Sequence, residues 1–470
     1  MNRLCQACGF CLRSCNRHYV LYPRGTAKPT ESMLGAAATR RVFVETPIQN
    51  VIATESPQLA FIEALGERGR LVAAENAVSP CVNNLKVSGV VTETWPSSYA
   101  AAPYGELNLT LVEDVFDATQ AEWIIASIWE FAAYKESRLD DNLICDELSS
   151  EETVMAQAEW LKYFGPFFKK SDHASEVYCN LYDRYQCTKQ LGQSLKPSLE
   201  VEIPKLLYIS TVWGGTKVQV KDYASNPLNF RRSAVEDAGG LLPDLSVYGS
   251  KQFEGSNVTE RDLFHEAISK ADVIIVEANA DQYSETISTI RTRYLIDDSL
   301  IDIPAFVNDR VYSTDGTLSE TVHLSRGTKL NDDFESRFTQ PDTYLEDIIS
   351  ILYPTSDNFR STPWDLRYLR HLSTGLDAGD IVGAASCPDV TAPYEFRATT
   401  CQTLSSNTES SELLTLFETT SCPANHGNDG LSSGAIVGIA VGAGVALALV
   451  VIVLIVKSKC STAPAAKAVV

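Results

Sequence analysis

Twelve cysteines and six histidines are the side chains best equipped for chemistry in this 470-residue chain, and their spacing discriminates between the chemistries. Cys5, Cys8, Cys11 and Cys15 form a C-x2-C-x2-C-x3-C run. That spacing lets thiolates on a tight loop cap a cubane iron-sulfur cluster. Asn16 stands where a Pro usually follows, and the run has no second copy. It supports one minor reading, an iron-sulfur electron-transfer protein, against the plainer one of adventitious cysteines in a basic leader. His18, His173, His265, His323, His371 and His426 are scattered without metal-ligand spacing, which argues against an imidazole zinc site. The sequence has no G-x-S-x-G elbow, HExxH pair, P-loop or dinucleotide fingerprint. The pattern favours a binder over an enzyme, with no cofactor expected.

A formal charge of −21 makes nucleic acid an improbable partner, because phosphate binding needs a basic surface. Cys81, Cys145, Cys179 and Cys187 are even in number, which is consistent with two disulfides in an oxidising compartment. Cys179 and Cys187 fall on one predicted helix about 12 Å apart, too far to bond each other. Each then needs a partner elsewhere, with Cys145 and Cys81 as candidates. Asn108-Leu-Thr and Asn257-Val-Thr are N-glycosylation acceptors, which also points outside the cytosol.

Gly434 to Val456 carries no charge and, as a helix at 1.5 Å per residue, reaches about 34 Å, enough to cross a bilayer. Lys457, Lys459 and Lys467 follow it and set the C-terminus in the cytoplasm, with the large domain outside. Gly434, Gly438 and Gly442 form overlapping GxxxG steps, a candidate face for transmembrane dimerisation. Cys460 is a palmitoylation candidate. Residues 1–41 are basic and lack the apolar core of a secretory signal. The expectation is a start site and signal not represented here; the alternative is a tail anchor.

The elements that would position a site are legible in the apolar periodicity. NVIATE, EWIIAS, KLLYIS and KADVIIVEA are short continuous apolar runs, the pattern of strands covered on both faces. Helix-length patterns separate them, which predicts α/β architecture with parallel central sheets. Residues 149–199 predict a long helix broken near Gly165-Pro166, where proline removes a backbone donor.

Two further stretches, IPAFVNDRVYSTDG (Ile303 to Gly316) and QPDTYLEDIISILYP (Gln340 to Pro354), resemble the closing segment of the type III periplasmic solute-binding proteins that serve iron-siderophore, haem and cobalamin importers. PIQNVIATESPQLAFIEALGERGRLVAA (Pro47 to Ala74) is similar to that family's opening strand, turn, first helix and second strand. Ala158 to Gln186 is similar to its interlobe helix. Pro204 to Gly215 and Asn229 to Asp244 are similar to the opening strand and helix of its second lobe. The resemblance implies two α/β lobes joined by one long helix. The expected organisation is a leader at 1–41, lobes at 42–148 and 200–354, the interlobe helix at 149–199, a Ser/Thr-rich stalk at 355–433, the membrane helix at 434–456 and a tail at 457–470. Residues 42–354 are expected to form a separable module.

In open α/β lobes ligands sit beyond the carboxyl ends of the strands. Those ends give Glu55 and Ser56, Trp129 and Glu130, Trp213, Glu277 and Asp315, with Trp95 and Tyr99 on a nearby Pro-containing loop and Arg231 available to an anionic ligand. Aromatic walls with a few polar groups suit a flat metal chelate. The bland alternatives are interlobe packing for each Trp and an ion pair for each Arg. Importer-coupled relatives carry an acid at matching helix starts, and here those places hold Thr110 and Arg261. The expected protein is thus a membrane-anchored glycoprotein receptor that captures an iron chelate without docking directly on an ABC permease. The rival is an adhesion or signalling ectodomain that keeps the fold without a small ligand.

Overall fold

The computed structural model describes residues 15, 17–30, 32, 40–74, 77–93, 109–135, 137–211, 217–224, 229–248, 252–254, 257–278, 286–294, 296, 303–323, 328–354, 366–373, 380–397 and 401. The strands in chain order are β1 (Arg17–Pro23), β2 (Arg40–Thr46), β3 (Val51–Ala53), β4 (Leu71–Ala74), β5 (Thr92–Glu93), β6 (Trp123–Ser127), β7 (Leu143–Asp146), β8 (Leu206–Thr211), β9 (Lys217–Lys221), β10 (Gln252–Glu254), β11 (Val273–Val276), β12 (Val311–Ser313), β13 (Thr317–His323), β14 (Thr328–Asn331), β15 (Arg370–His371) and β16 (Asp380–Val382).

The first lobe is built on a wholly parallel sheet of order β5-β4-β3-β6-β7. Every residue of β3, β6 and β7 is buried, as expected of strands with helices on both faces. The second lobe has the order β10-β9-β8-β11-β12-β15, parallel through β8, β11 and β12 and antiparallel at its edges. These are the expected α/β lobes with parallel central sheets.

The helix Ser171–Leu195 joins them. Its 25 residues span about 37 Å. Ala174, Val177, Tyr178 and Leu181 lie in the core of the first lobe, whereas Tyr185 and Leu191 lie in that of the second. One rigid element therefore carries side chains of both cores. Upstream, the predicted break is real: short helices Val154–Ala158 and Trp160–Phe164 lead into a 3-10 turn at Gly165–Phe168, and Lys169 adopts φ 59° before the long helix starts.

Gly192 marks where that helix meets the second lobe most closely. A Cβ there would lie 2.9 Å from both the Ala238 carbonyl oxygen and Ile349 Cδ1. Gly192→Ala is expected to cost about 1–3 kcal/mol through overpacking, more than the roughly 1 kcal/mol that Ala gains over Gly in a helix. Chemical denaturation measures it, and a midpoint at or above the parent's would show that the contact yields freely.

Three expectations about the periphery need correction. The leader is not wholly apart from the fold. β1 pairs in parallel with β2 along seven residues, and Arg17 and Arg40 form ion pairs with Asp140 and Asp141. Cys15 is disulfide-bonded to Cys145, so its sulfur is not a free cluster ligand; Cys5, Cys8 and Cys11 lie outside the described residues. The four module cysteines do not pair among themselves. Cys81 bonds Cys387, Cys187 bonds Cys401, and Cys179 is disulfide-bonded to a partner outside the described residues.

The segment expected to begin a stalk instead returns to the lobes. β15 completes the second-lobe sheet, and β16 pairs in parallel with β13. Val390, Tyr394 and Phe396 then pack on the first-lobe core. Arg68 donates to the carbonyls of Val390 and Ala392 at 2.7 and 3.1 Å. Residues 42–354 thus lack pieces of both lobes. The expected membrane segment at 434–456 and Cys460 lie outside the described residues; among those described, no helix is long and apolar enough to cross a membrane.

Candidate functional site

The carboxyl ends of the parallel strands gather two polar groups, one per lobe. In the first lobe Glu55 is the N-cap of helix Ser56–Ala64, and its capping box with Gln58 satisfies backbone donors of the first turn. Ser127, the last residue of β6, donates its hydroxyl to Glu55 Oε1. Thr54 donates to Glu130, which is buried at the start of the next helix. Gln58 knits the corner together: its Oε1 accepts the backbone N–H groups of Thr54 and Glu55, and its Nε2 donates to Asp146 Oδ2 at 2.8 Å. Asp146 closes β7 and is 1% exposed. Burial first, and the neighbouring charge of Glu55 second, push its carboxyl well above the usual range.

In the second lobe Arg231 pairs with Glu277, which follows β11, and lies 3.7 Å from Asp333. Tyr223 donates to Glu277, and the Arg231 guanidinium stands 4.5 Å from the Phe230 ring centroid. Asp333 also meets Arg337, whose Nη1 donates to Gln157 Oε1 at 2.7 Å. Arg337 is 2% exposed, and burial lowers its pKa from the ordinary arginine value. The Arg231 charge expected to meet an anionic ligand is therefore met from inside the chain.

Asp315 stands apart from both groups. It forms a buried ion pair with Arg370 at 2.8 Å, which ties β12 to the edge strand β15. Ser56 donates to the Phe334 carbonyl and so links the first lobe to the segment before the last helix. Beside it, Glu335 accepts the N–H groups of Val78 and Ser79 at 2.6 and 2.7 Å, where helix Pro80–Val87 begins. Trp95, Tyr99 and Trp213 lie outside the described residues, as does Asn108; the backbone of Trp129 is in helix Ile128–Tyr134. Asn257 is the exposed N-cap of helix Val258–Ile268, its Oδ1 accepting from Thr259 and Glu260. That leaves its amide nitrogen available to a glycan.

Sequence reasoning missed Asp146, Gln58, Asp333, Glu335 and Arg337. LIC before Asp146 was a readable strand signal. Asp333 and Arg337, by contrast, occupy a polar stretch that reads as surface. Among the described residues a separate groove of about 630 Å³ is lined by Val177, Asn180, Leu181, Asp183, Arg184, Glu395 and Phe396, none of them at a strand end. No group of described residues has the makings of a metal site.

No family model and no curated protein matches the chain. A search of solved structures finds 85 matching chains. One is a periplasmic binding protein from Veillonella parvula, 14% identical, covering 66% of this chain and 86% of that one with a TM-score of 0.43. Another is the periplasmic haem-binding protein HutB of Vibrio cholerae, 15% identical, covering 65% and 99% with a TM-score of 0.43. A third is the petrobactin-binding protein YclQ of Bacillus subtilis, 16% identical, covering 65% and 93% with a TM-score of 0.44. The chain is similar to periplasmic binding proteins, the class that its sequence motifs resemble. The likeness concerns the course of the backbone.

Proposed function

We propose that this protein is a solute-binding receptor that captures a small metal-organic ligand, an iron chelate of the siderophore type, between its two lobes. The observation that carries the reading is the helix Ser171–Leu195, which supplies core residues to both lobes and so keeps their strand ends in a fixed relation. Such a frame suits capture with little lobe movement. Glu55, Ser56, Glu130 and Glu277 are its candidate polar contacts, with Trp95, Tyr99, Trp129 and Trp213 as aromatic candidates from sequence. A single-pass surface location with the large domain outside, glycans on Asn108 and Asn257, and hand-over to a partner other than an ABC permease complete the proposal. The disulfides support it, since such bonds persist in oxidising compartments.

A second reading has a specific observation in its favour. Arg231, Glu277 and Asp315 have ion-pair partners within the chain, as they would in an ectodomain that keeps the fold for adhesion or signalling. Thermal unfolding of the full chain with ferric siderophores, haem, cobalamin and free ferric ion separates the two. A ligand at 100 times its Kd should add about 2.7 kcal/mol of stability and raise the melting temperature by several degrees. A flat response across the whole panel favours the second reading.

A further inference from the structure

We propose that Phe334 is a ligand contact where the two lobes meet, and that it selects chelates presenting a flat aromatic ring, a catechol or a tetrapyrrole, over ring-free ones. The inference rests on the solute-binding reading above and specifies the ligand's chemistry. It starts from an inversion of the usual burial pattern. From Asn331 to Leu352 every residue is buried except Phe334, which is 51% exposed. Its neighbours Asp332, Asp333, Glu335 and Arg337 are each only 1% or 2% exposed. Burying charged groups is costly unless they are paired or hydrogen-bonded, and a phenyl ring left in water forfeits what its burial would gain. Local rules broken together in this way are expected where function requires it. Other exposed apolar residues differ: Val87, Val201 and Val247 each lie beside further exposed residues, and such scattered cases need no explanation.

Phe334 ends a 3-10 turn, Asp332–Phe334, that is fixed from several directions. Its carbonyl accepts from Ser56, which follows β3. Glu335 holds the N–H groups of Val78 and Ser79, in the segment after β4. Asp333 lies 3.7 Å from Arg231, the partner of Glu277 after β11. Residues 333–335 therefore touch segments at the carboxyl ends of strands from both lobes, the place where open α/β sheets bind ligands. The charged neighbours are engaged within the chain: Asp332 pairs with Arg367, Asp333 with Arg337, and Glu335 with its two backbone donors. They anchor the turn on both sides of Phe334 and leave the phenyl ring as its exposed surface. A phenyl ring offers no hydrogen bond, so it recognises flat apolar surface. A second aromatic ring stacked on it or meeting it edge-on gains more than buried area alone provides.

The test measures the affinity of the full chain for three probes: a ferric tris-catecholate, ferric protoporphyrin, and a ferric trihydroxamate with aliphatic arms. One of the two ring-bearing probes should bind tighter than the trihydroxamate, and which one does so tells the catechol from the tetrapyrrole. Phe334→Leu, which keeps apolar bulk and loses the ring, should cut that probe's advantage over the trihydroxamate roughly three- to tenfold. Phe334→Tyr, which retains a ring, should preserve the advantage. Without ligand, Phe334→Ser should melt no lower than the parent, because an exposed ring adds little to the fold. A melting temperature several degrees lower would make Phe334 a structural residue and overturn the inference. An advantage that Phe334→Leu leaves intact, or tightest binding of the trihydroxamate, also overturns it and leaves the receptor reading standing. Failure of all three probes to bind overturns both.

Discussion

Removing the C-terminal arm after Pro354 is expected to leave a chain that no longer folds cooperatively. The arm supplies Leu366, Tyr368 and Leu369 to the second-lobe core, and Arg370 to the buried Asp315. It also supplies Cys387 and Cys401, which bond to Cys81 and Cys187 across sequence separations of 306 and 214 residues. Losing Arg370 alone would break the buried ion pair with Asp315, a change that typically costs about 3–5 kcal/mol. A disulfide closing a loop of this length contributes about 2–5 kcal/mol. Together these terms are as large as the roughly 5–15 kcal/mol that holds a typical domain folded. The milder change Cys81→Ala with Cys387→Ala isolates one bond, and its denaturation midpoint should fall by the disulfide's share alone. A truncated chain with the parent's melting temperature would show that the arm decorates the lobes without sustaining them.

Arg337→Ala is expected to be the most damaging single substitution in the inter-element segment. The guanidinium is 2% exposed and lies 4.0 Å from the Phe230 ring centroid, 4.3 Å from that of Phe338 and 5.4 Å from that of Tyr344. It is also the closer of the two cations to Asp333, at 3.3 Å against 3.7 Å for Arg231. Its loss leaves Asp333 with Arg231 as its remaining ion-pair partner and empties an aromatic cage, a combination worth about 3–5 kcal/mol. Arg337→Met combined with Asp333→Asn should recover part of that loss, because apolar contact is kept and the buried charge is removed. Equilibrium unfolding of the single and double variants measures the coupling. A double variant no better than Arg337→Ala would assign the loss to contacts that only the guanidinium makes, its hydrogen bond to Gln157 and its place in the aromatic cage.

Much of the frame was legible because its signals are local. β6 and β11 are continuous apolar runs, and Asn257 before Val-Thr-Glu is a helix start readable from side-chain chemistry. The break at Gly165-Pro166 follows from proline's missing donor. What was not legible depends on partners distant in sequence. β1 exists because RHYVLYP pairs with β2, yet in isolation it reads as part of a basic leader. Ser/Thr-rich composition disguised an arm whose Val390, Tyr394 and Phe396 seal the first lobe. No spacing rule could join Cys81 to Cys387. The candidate site shows the same division: Arg231 and Glu277 could both be chosen from strand and helix ends, but not their ion pair with each other, nor the approach of Asp333 from a third segment.

The central claim is that the two lobes bind one small metal chelate. Isothermal titration of the full chain with a ferric trihydroxamate tests it most directly. The expected result is saturable binding at one chelate per chain, with a Kd of about 1 μM or tighter, which corresponds to at least 8.2 kcal/mol. Trp213→Ala should weaken it by roughly 30-fold to 1000-fold without lowering the melting temperature of the free protein. Absence of saturable binding to this chelate and to every other member of the siderophore, haem and cobalamin panel would contradict the receptor account and leave the fold with a role in adhesion or signalling.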